Sequence, residues 1–152
     1  MAKWNRCQQQ MDFAVSYVRV GKKWRRLAWG RPQMMTLANA AVMAITVRSF
    51  DRGLGVDDRP HKPKYTARYK NRKKKSGRNV AKIDLTWSGR LRQSIRPIRV
   101  SDDRAVISPT GNAKIYGTFV NELRPFMYLS PRVSNTIRLT ARALLKAASR
   151  GG

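Results

Sequence analysis

The spacing of apolar residues predicts two long helices. The first spans Met34–Phe50, where most residues are apolar or small and the one charged residue is Arg48. Such a composition is typical of a helix that is buried on most sides, either in the core or against a neighbouring subunit. The second spans Val133–Ala148, where apolar residues recur every three or four positions. Ser130-Pro131 is a favourable start for it, because serine caps free amides and proline is preorganised for the first helical turn.

Shorter patterns between these helices predict a small antiparallel sheet. Alternating residues indicate strands near Ile83–Leu85, Ile98–Val100, Ala105–Ser108 and Ile115–Val120. The turn chemistry of Ser101–Arg104 joins the middle two strands into a hairpin. We therefore expect one domain of the α+β class, in which the sheet packs against an N-terminal and a C-terminal helix.

A short helix is predicted just before the hairpin. Ser88 is a suitable N-cap, and Gly89 allows a tight turn into the helix. Leu91 and Ile95 follow four residues apart, so both are expected to pack on the core. Pro97 is expected to end the helix.

Residues 1–33 form a basic, aromatic-rich arm in front of this domain. The spacing of Phe13 and Tyr17 favours a short helix within the arm. Trp24 and Trp29 are candidate interface anchors, because tryptophan and arginine dominate the residues that stabilise interfaces. The arm suits contact with either DNA or protein.

A basic loop is predicted at residues 59–82 inside the domain, which spans 34–150. Tyr65–Arg72 favours one or two helical turns, whereas Arg72–Asn79 is expected to be a mobile loop, since neighbouring like charges repel. Tyrosines alternate with cations here, as in surfaces that contact phosphate and stack bases; the alternative is a solubilising loop. The candidate contacts to DNA or an acidic partner are Lys62, Lys64, Arg68, Lys70, Arg72, Lys73, Lys74, Lys75, Arg78 and Lys82.

The predicted C-terminal helix adds a row of candidate contacts. Arg138, Arg142, Lys146 and Arg150 lie four residues apart and therefore share one face, and the first three are the candidate contacts. Repulsion within such a row weakens an isolated helix, although cations near a helix C-terminus offset part of that cost. The row therefore indicates an anionic partner.

The overall charge makes an anionic partner central to the prediction. The 152 residues include 33 Lys and Arg against 8 Asp and Glu, which gives a formal net charge of +25. Such an excess disfavours a compact chain unless something anionic lies nearby. Nucleic acid is the commonest such partner, and an acidic protein surface is the next candidate.

The sequence offers little for catalysis, and we expect no enzyme, no cofactor and no metal. Cys7 is the single cysteine and His61 the single histidine, which excludes an internal disulfide and nearly excludes a zinc site. We expect His61 in a surface loop. The pairs Asp57-Asp58 and Asp102-Asp103 have the character of turn residues.

A nuclease would need carboxylates that converge from different elements. Asp51, Asp57, Asp58 and Asp84 would meet only by a coincidence that the sequence does not support. A small nuclease is therefore a third hypothesis, and it predicts metal-dependent cleavage of DNA.

No membrane span or export signal is expected. The most apolar stretch, Met34–Val47, is shorter than the roughly 20 residues that a bilayer span needs. Gln8, Gln9, Gln10 and Asp12 interrupt the N-terminus where a signal peptide would be apolar. The sequence favours synthesis in the cytosol.

Several motifs occur in an order that resembles one known family. A helix ending in Phe50 is followed by a glycine loop, a tyrosine–lysine segment, a Ser-Gly-x-Leu-x-x-Ser-Ile motif, a hairpin, a Tyr-Gly segment and Arg-Pro-Phe. The corresponding pieces are Gly53–Gly55, Tyr65–Lys70, Asp84–Ile95, Ile115–Gly117 and Arg124–Ser130. This ordered set resembles the virion-morphogenesis and tail-completion family of tailed bacteriophages.

The chain departs from the family pattern in several places. Ser88 stands where threonine is usual, which keeps a capping hydroxyl, and Gly117 stands where alanine is usual. Phe119–Glu122 occupies the place of a frequent His-x-x-Gly. The arm before Met34 lies outside the resemblance, so its role stays open.

The resemblance implies a structural virion protein at the neck, the head–tail junction or the tail end, assembled in the host cytoplasm. It implies a homo-oligomeric ring, expected to be six-fold, because head-to-tail contacts must close. The partners would be other neck, connector and tail proteins and the genomic DNA in the channel. The motifs would build the scaffold: Arg124 is expected to pair with Glu122 or Asp84, while Phe126 enters the core.

The alternative is a nucleic-acid-binding protein of the ribosomal or nucleoid kind, which charge and size fit equally well but the ordered motifs do not. A ribosomal protein would co-sediment with ribosomes, whereas a neck protein would occur at a fixed low copy number in particles.

Because Lys73, Lys74 and Lys75 lie in the predicted loop, we expect that replacing them with serine leaves folding intact and lowers particle assembly or DNA retention.

Overall fold

The architecture is taken from a computed structural model, which describes residues 12–14, 29–86, 88–102 and 104–150. The described residues form helices and strands in the order β1 (Asp12–Ala14), α1 (Arg31–Thr46), α2 (Ala67–Lys75), α3 (Arg90–Ser94), β2 (Ile95–Val100), β3 (Arg104–Pro109), α4 (Ala113–Leu123) and α5 (Pro131–Arg150). A π-helical turn, Val47–Asp51, continues α1.

The predicted α+β class and its hairpin are confirmed. β2 and β3 pair antiparallel, and β1 adds to the other side of β3, so the strand order is β1-β3-β2. Pro97 does not end the preceding helix, which stops at Ser94, but lies within β2. It is tolerated there because β2 is an edge strand whose register shifts between Pro97 and Arg99.

The core lies where α1 packs against α5 and against the hairpin. α1 is buried along one stripe that includes Leu37, Ala41 and Ile45. From α5 the buried residues are Val133, Ile137 and Ala141. The apolar area that these residues remove from water stabilises the fold.

Two predicted strands are wrong. Ile83–Leu85 is irregular, and Leu85 has a φ of 52°, outside the extended region that a strand requires. Ile115–Val120 lies inside α4. Its apolar residues also fit the helical period, since Ile115, Phe119 and Leu123 are spaced four apart and all stand on the exposed side.

Gly117 explains how α4 packs against α3 and the end of β3. A Cβ atom at this position would lie 3.0 Å from the Leu91 Cδ1 atom and 3.0 Å from the Pro109 Cγ atom. The missing side chain therefore permits the close approach of the helix. The position at which the chain departs from the alanine of the resembled family is thus a packing position.

The short helix before the hairpin is confirmed, with its start one residue later than predicted. Gly89 is the N-cap, in the left-handed region with a φ of 77° that glycine tolerates. The Ser88 hydroxyl accepts a hydrogen bond from the Arg90 amide at 3.4 Å. Leu91 and Ile95 are both buried, as expected.

The region assigned to the arm contributes to the sheet. Phe13 lies in β1, where its backbone is in register with Ala105 of β3, and not in the predicted helix. Tyr17 lies outside the described residues. α1 begins at Arg31 rather than Met34, with Pro32 in its first turn.

None of the described helices combines the length and the apolar composition needed to cross a bilayer.

Candidate nucleic-acid interface

α2 shows how a run of cations can be helical. Thr66 is its N-cap, and the Thr66 hydroxyl accepts a hydrogen bond from the Tyr69 amide at 3.3 Å. Arg72–Lys75 form its last turn, where the negative end of the helix dipole favours positive charge. The predicted mobile loop is therefore wrong over these residues.

One buried ion pair holds α2 on the domain. The Lys73 side chain is 1% exposed, and its Nζ atom lies 2.5 Å from Asp84 Oδ1. The same oxygen accepts hydrogen bonds from the Thr86 amide at 3.0 Å and from the Tyr65 hydroxyl at 3.5 Å. The Lys73 ammonium also lies 5.0 Å from the centre of the Tyr65 ring, close enough for cation–π attraction. We call Lys73, Asp84, Tyr65 and Thr86 the Lys73 cluster.

The cluster keeps Tyr65 neutral. Burial raises the pKa of Tyr65 to about 12, and the negative charge of Asp84 acts in the same direction. A neutral phenol is a hydrogen-bond donor, which is what the Asp84 carboxylate needs. Tyr69 packs beside it, with ring centres 4.8 Å apart.

The expectation that Lys73 contacts DNA is wrong, because this lysine is buried and paired with Asp84. Replacing it with serine would leave the Asp84 carboxylate without its cation, so we expect the triple serine variant to lose stability. The neighbouring Lys74 and Lys75 are exposed. A signal was present in the sequence, because Tyr69 and Lys73 lie four residues apart and so mark the buried side of α2.

Arg124 of the Arg-Pro-Phe motif also lies beside the Lys73 cluster. The Nε and Nη2 atoms of Arg124 donate to the Pro63 carbonyl oxygen at 3.1 and 2.9 Å. The guanidinium lies 5.4 Å from the centre of the Tyr65 ring. We expected a carboxylate beside Arg124, but the contact that the structure shows is with this carbonyl group. Phe126 is fully buried, as predicted, and meets Phe50 edge-on with ring centres 5.8 Å apart.

The other predicted contacts of the basic segment are accessible. They are exposed on α2 or on the loops beside it: Lys62, Lys64, Arg68, Lys70, Arg72, Lys74, Lys75, Arg78 and Lys82. We call this set the α2 array. The fold therefore holds most of the predicted cations at defined surface positions.

The predicted row on the C-terminal helix is also accessible. Arg138, Arg142 and Lys146 are exposed on α5, whereas the stripe that includes Ile137 and Ala141 packs into the core. We call the three cations the α5 row. Such a row can follow a line of phosphates without disturbing the core.

Trp29 has a role within the chain. Its indole Nε1 atom donates to the Asp102 carbonyl oxygen at 3.0 Å, and the ring packs partly buried against the core. It thereby ties the segment before α1 to the hairpin turn. Trp24, the other candidate anchor, lies outside the described residues.

A second buried cation, Arg48, forms hydrogen bonds to the segment before α5. It is 1% exposed and donates to the carbonyl oxygens of Tyr128, at 2.9 Å, and of Phe126. Burial lowers the pKa of Arg48, while the negative charges of Asp58 and Asp57 oppose that shift. Its positive charge is thus shared among neutral carbonyl groups and nearby carboxylates.

The expectation that His61 lies at the surface is wrong. His61 is 3% exposed, and its Nε2 atom lies 3.3 Å from the Ser49 carbonyl oxygen. Burial lowers the pKa of His61, and the positive charges of Arg124 and Arg48 act in the same direction. The ring is therefore neutral in the folded chain at neutral pH and serves packing.

The carboxylates considered for a nuclease are dispersed. Asp51 pairs with Arg92 at 2.6 Å on the surface, and Asp84 binds Lys73. Asp57 and Asp58 lie in a turn, as predicted, where Asp58 accepts a hydrogen bond from the Arg132 amide near the start of α5. Over the described ranges, no group of three or more His, Cys, Asp and Glu side chains is placed to hold a metal ion.

Comparisons of the chain with sequence profiles of known families, with curated proteins and with solved structures gave no match. The resemblance to the tail-completion family therefore stays a prediction that rests on the quoted motifs.

Replacing Asp84 with asparagine should destabilise the fold strongly, because Lys73 would keep a buried charge without an anionic partner. The expected loss in free energy of unfolding is about 3–5 kcal/mol. Lys73→Met should cost less, because the Asp84 side chain is 14% exposed and keeps its bond from the Thr86 amide. Urea denaturation of the purified variants measures both losses.

Lys74→Met is the matched control, since Lys74 is exposed on the same turn of α2. Its free energy of unfolding should stay within about 0.5 kcal/mol of the wild-type value. Equal unfolding midpoints for the Asp84, Lys73 and Lys74 variants would show that the ion pair does not anchor α2.

Stability should fall as the pH drops below the ordinary His61 pKa of 6.5. Because burial lowers the pKa of His61 in the folded state, the unfolded chain takes up the proton more readily, and acid therefore favours unfolding. His61→Gln should reduce the change in Tm between about pH 7.5 and about pH 5.5, a range in which most carboxylates stay ionised. An identical pH dependence in both proteins would contradict a buried neutral His61.

Proposed function

We propose that the chain is a structural protein of a tailed-bacteriophage particle, of the tail-completion or neck class, and not an enzyme. The observation that carries the proposal is which residues are buried in the core and which are exposed at the surface. Residues of the quoted motifs, such as Leu91, Ile95 and Phe126, are buried and build the scaffold, whereas most of the predicted cations are exposed. A scaffold that presents an excess of positive charge suits a building block among anionic neighbours.

The charge balance supports contact with DNA or with acidic neighbours. The chain has 8 acidic residues, of which Asp84 and Asp51 are paired with Lys73 and Arg92. The twelve cations of the α2 array and the α5 row alone exceed the eight acidic residues of the whole chain. Phosphates meeting such surfaces release their condensed counterions, which makes binding favourable and strongly dependent on salt.

A ring of copies is supported by the exposed side of α4. Ile115, Phe119 and Leu123 are 66%, 62% and 54% exposed, and they form an apolar stripe along the helix. α4 carries one lysine and one glutamate, so its own charges balance. A locally neutral, apolar surface is where two strongly basic chains can meet with the least repulsion, and exposed apolar patches commonly mark interfaces.

In the proposed assembly, copies meet through surfaces such as the α4 stripe and present their cations to DNA in the channel or to acidic surfaces of connector and tail proteins. The same cations would serve a ribosomal or nucleoid protein. The location of the chain in the cell therefore separates the two functions better than DNA affinity does.

A mass-spectrometric inventory of purified phage particles tests the location. We expect the chain at a fixed low copy number in complete particles, because a closed ring contains a set number of subunits. If purified particles lack the chain, and the chain co-sediments with ribosomes or host nucleoid, the proposed neck function is wrong. The result would then favour the nucleic-acid-binding alternative.

The contribution of the α5 row to DNA binding is tested with serine at Arg138, Arg142 and Lys146. The variant should fold normally, since these residues are exposed. The slope of log affinity for duplex DNA against log salt should fall by about 2–3, because each phosphate contact contributes about 0.9 to it.

The matched control removes the same charge elsewhere, with serine at Arg31, Arg96 and Arg99, which are exposed on α1 and β2. Its salt slope should stay closer to the wild-type value. The same reduction in both variants would mean that only the net charge matters and that the α5 row is not a DNA-contacting surface.

A further inference from the structure

A groove is bounded by residues of α2, α3 and α4, and of its described lining residues only Arg72 belongs to the surfaces described above. Its volume is about 430 Å³, within the range of roughly 300–1,000 Å³ typical of sites for small molecules. Phe50 and Leu85 contribute buried apolar side chains to its lining. The polar part of the lining comes from the three helices and the turns before them.

The charged side chains that line the groove are all arginines. Arg72 comes from α2, and Arg90 and Arg92 come from α3. Among the described residues of the lining there is no Asp or Glu, although Arg92 also pairs with Asp51, whose side chain is 40% exposed. Guanidinium groups bind phosphate through paired hydrogen bonds, so an anion with phosphate geometry is the complementary ligand.

Two tyrosines add flat aromatic surface to the groove. Tyr69 belongs to α2 and is partly buried, whereas Tyr116 belongs to α4 and is 50% exposed. Burial raises the pKa of Tyr69, and the hydroxyls of Tyr65 and Tyr116 act in the same direction. Half-exposed rings beside arginines are the kind of surface on which nucleic-acid bases stack.

We propose that this groove binds one nucleotide of a single-stranded nucleic acid, with the base on Tyr116 and Tyr69 and the phosphate on Arg90 and Arg72. The inference deepens the proposed DNA contact and rests on it. A carboxylate-bearing peptide would satisfy the arginines but would leave the rings without a flat partner. A duplex keeps its bases stacked inside and is too wide for a groove of this volume, so an unpaired nucleotide fits best.

The test compares a labelled oligonucleotide of about ten thymidines with a duplex of equal length, by fluorescence anisotropy with the full chain near physiological salt, where non-specific binding is weak. Tyr116→Ala should weaken binding of the single strand about tenfold, the loss typical of one stacked base. Duplex binding should not change, because the substitution alters no charge. Tyr116→Phe keeps the ring and should restore the wild-type affinity.

Met43→Ala is the control for the loss of an exposed apolar side chain. Met43 is 70% exposed on α1, and it neither lines the groove nor belongs to the α4 stripe. Its replacement should leave the affinity for the single strand unchanged. For the phosphate, Arg90→Gln should weaken single-strand binding more than Arg99→Gln, which removes the same charge from β2.

The proposal is overturned if Tyr116→Ala binds the single strand as tightly as the wild type, or if it weakens single-strand and duplex binding equally. DNA binding that still depends on the α5 row would then leave the proposed function standing. If the wild-type protein binds neither form of DNA even at low salt, the groove and the proposed DNA contact fail together.

Discussion

The contact between Lys73 and Asp84 is the constraint on which the arrangement of this basic chain depends. α2 consists largely of cations, so it has little apolar surface with which to pack. It is held because one lysine leaves water and meets a carboxylate at 2.5 Å, while Tyr65 and Thr86 complete the surroundings of that carboxylate. A buried charge is tolerated only with such partners. The remaining cations of α2 are thereby fixed on the surface.

The other inward-facing cations are stabilised largely by neutral groups. Arg48 donates to the carbonyl oxygens of Tyr128 and Phe126, and Arg124 donates to that of Pro63. Carbonyl groups satisfy the hydrogen bonds of these guanidinium groups but bring no negative charge beside them. The chain has 33 Lys and Arg against 8 Asp and Glu, so carboxylates can pair with only a small part of its cations. A fold built in this way keeps a strong positive field, and the mutual repulsion of its cations opposes the compact state.

Three kinds of surface result on one small scaffold, and their chemistry differs. The α2 array and the α5 row suit phosphates or acidic proteins, the α4 stripe suits another apolar surface, and the groove combines arginines with tyrosines. The α5 row was predictable, because Arg138, Arg142 and Lys146 repeat every four residues in sequence. The groove was not, because Tyr69, Arg90 and Tyr116 belong to three different helices.

The sequence by itself determined the main helices, the hairpin and the short helix before it, since periodicity, capping and turn residues are local properties. Only the tertiary structure decided that Ile115–Val120 is helical, because its apolar residues fit both periods and the close approach of Gly117 to Leu91 and Pro109 selects the helix. It likewise decided what the buried lysine pairs with. The four-residue spacing from Tyr69 singles out Lys73, but the carboxylate that it meets lies eleven residues away along the chain, and only folding brings the two together.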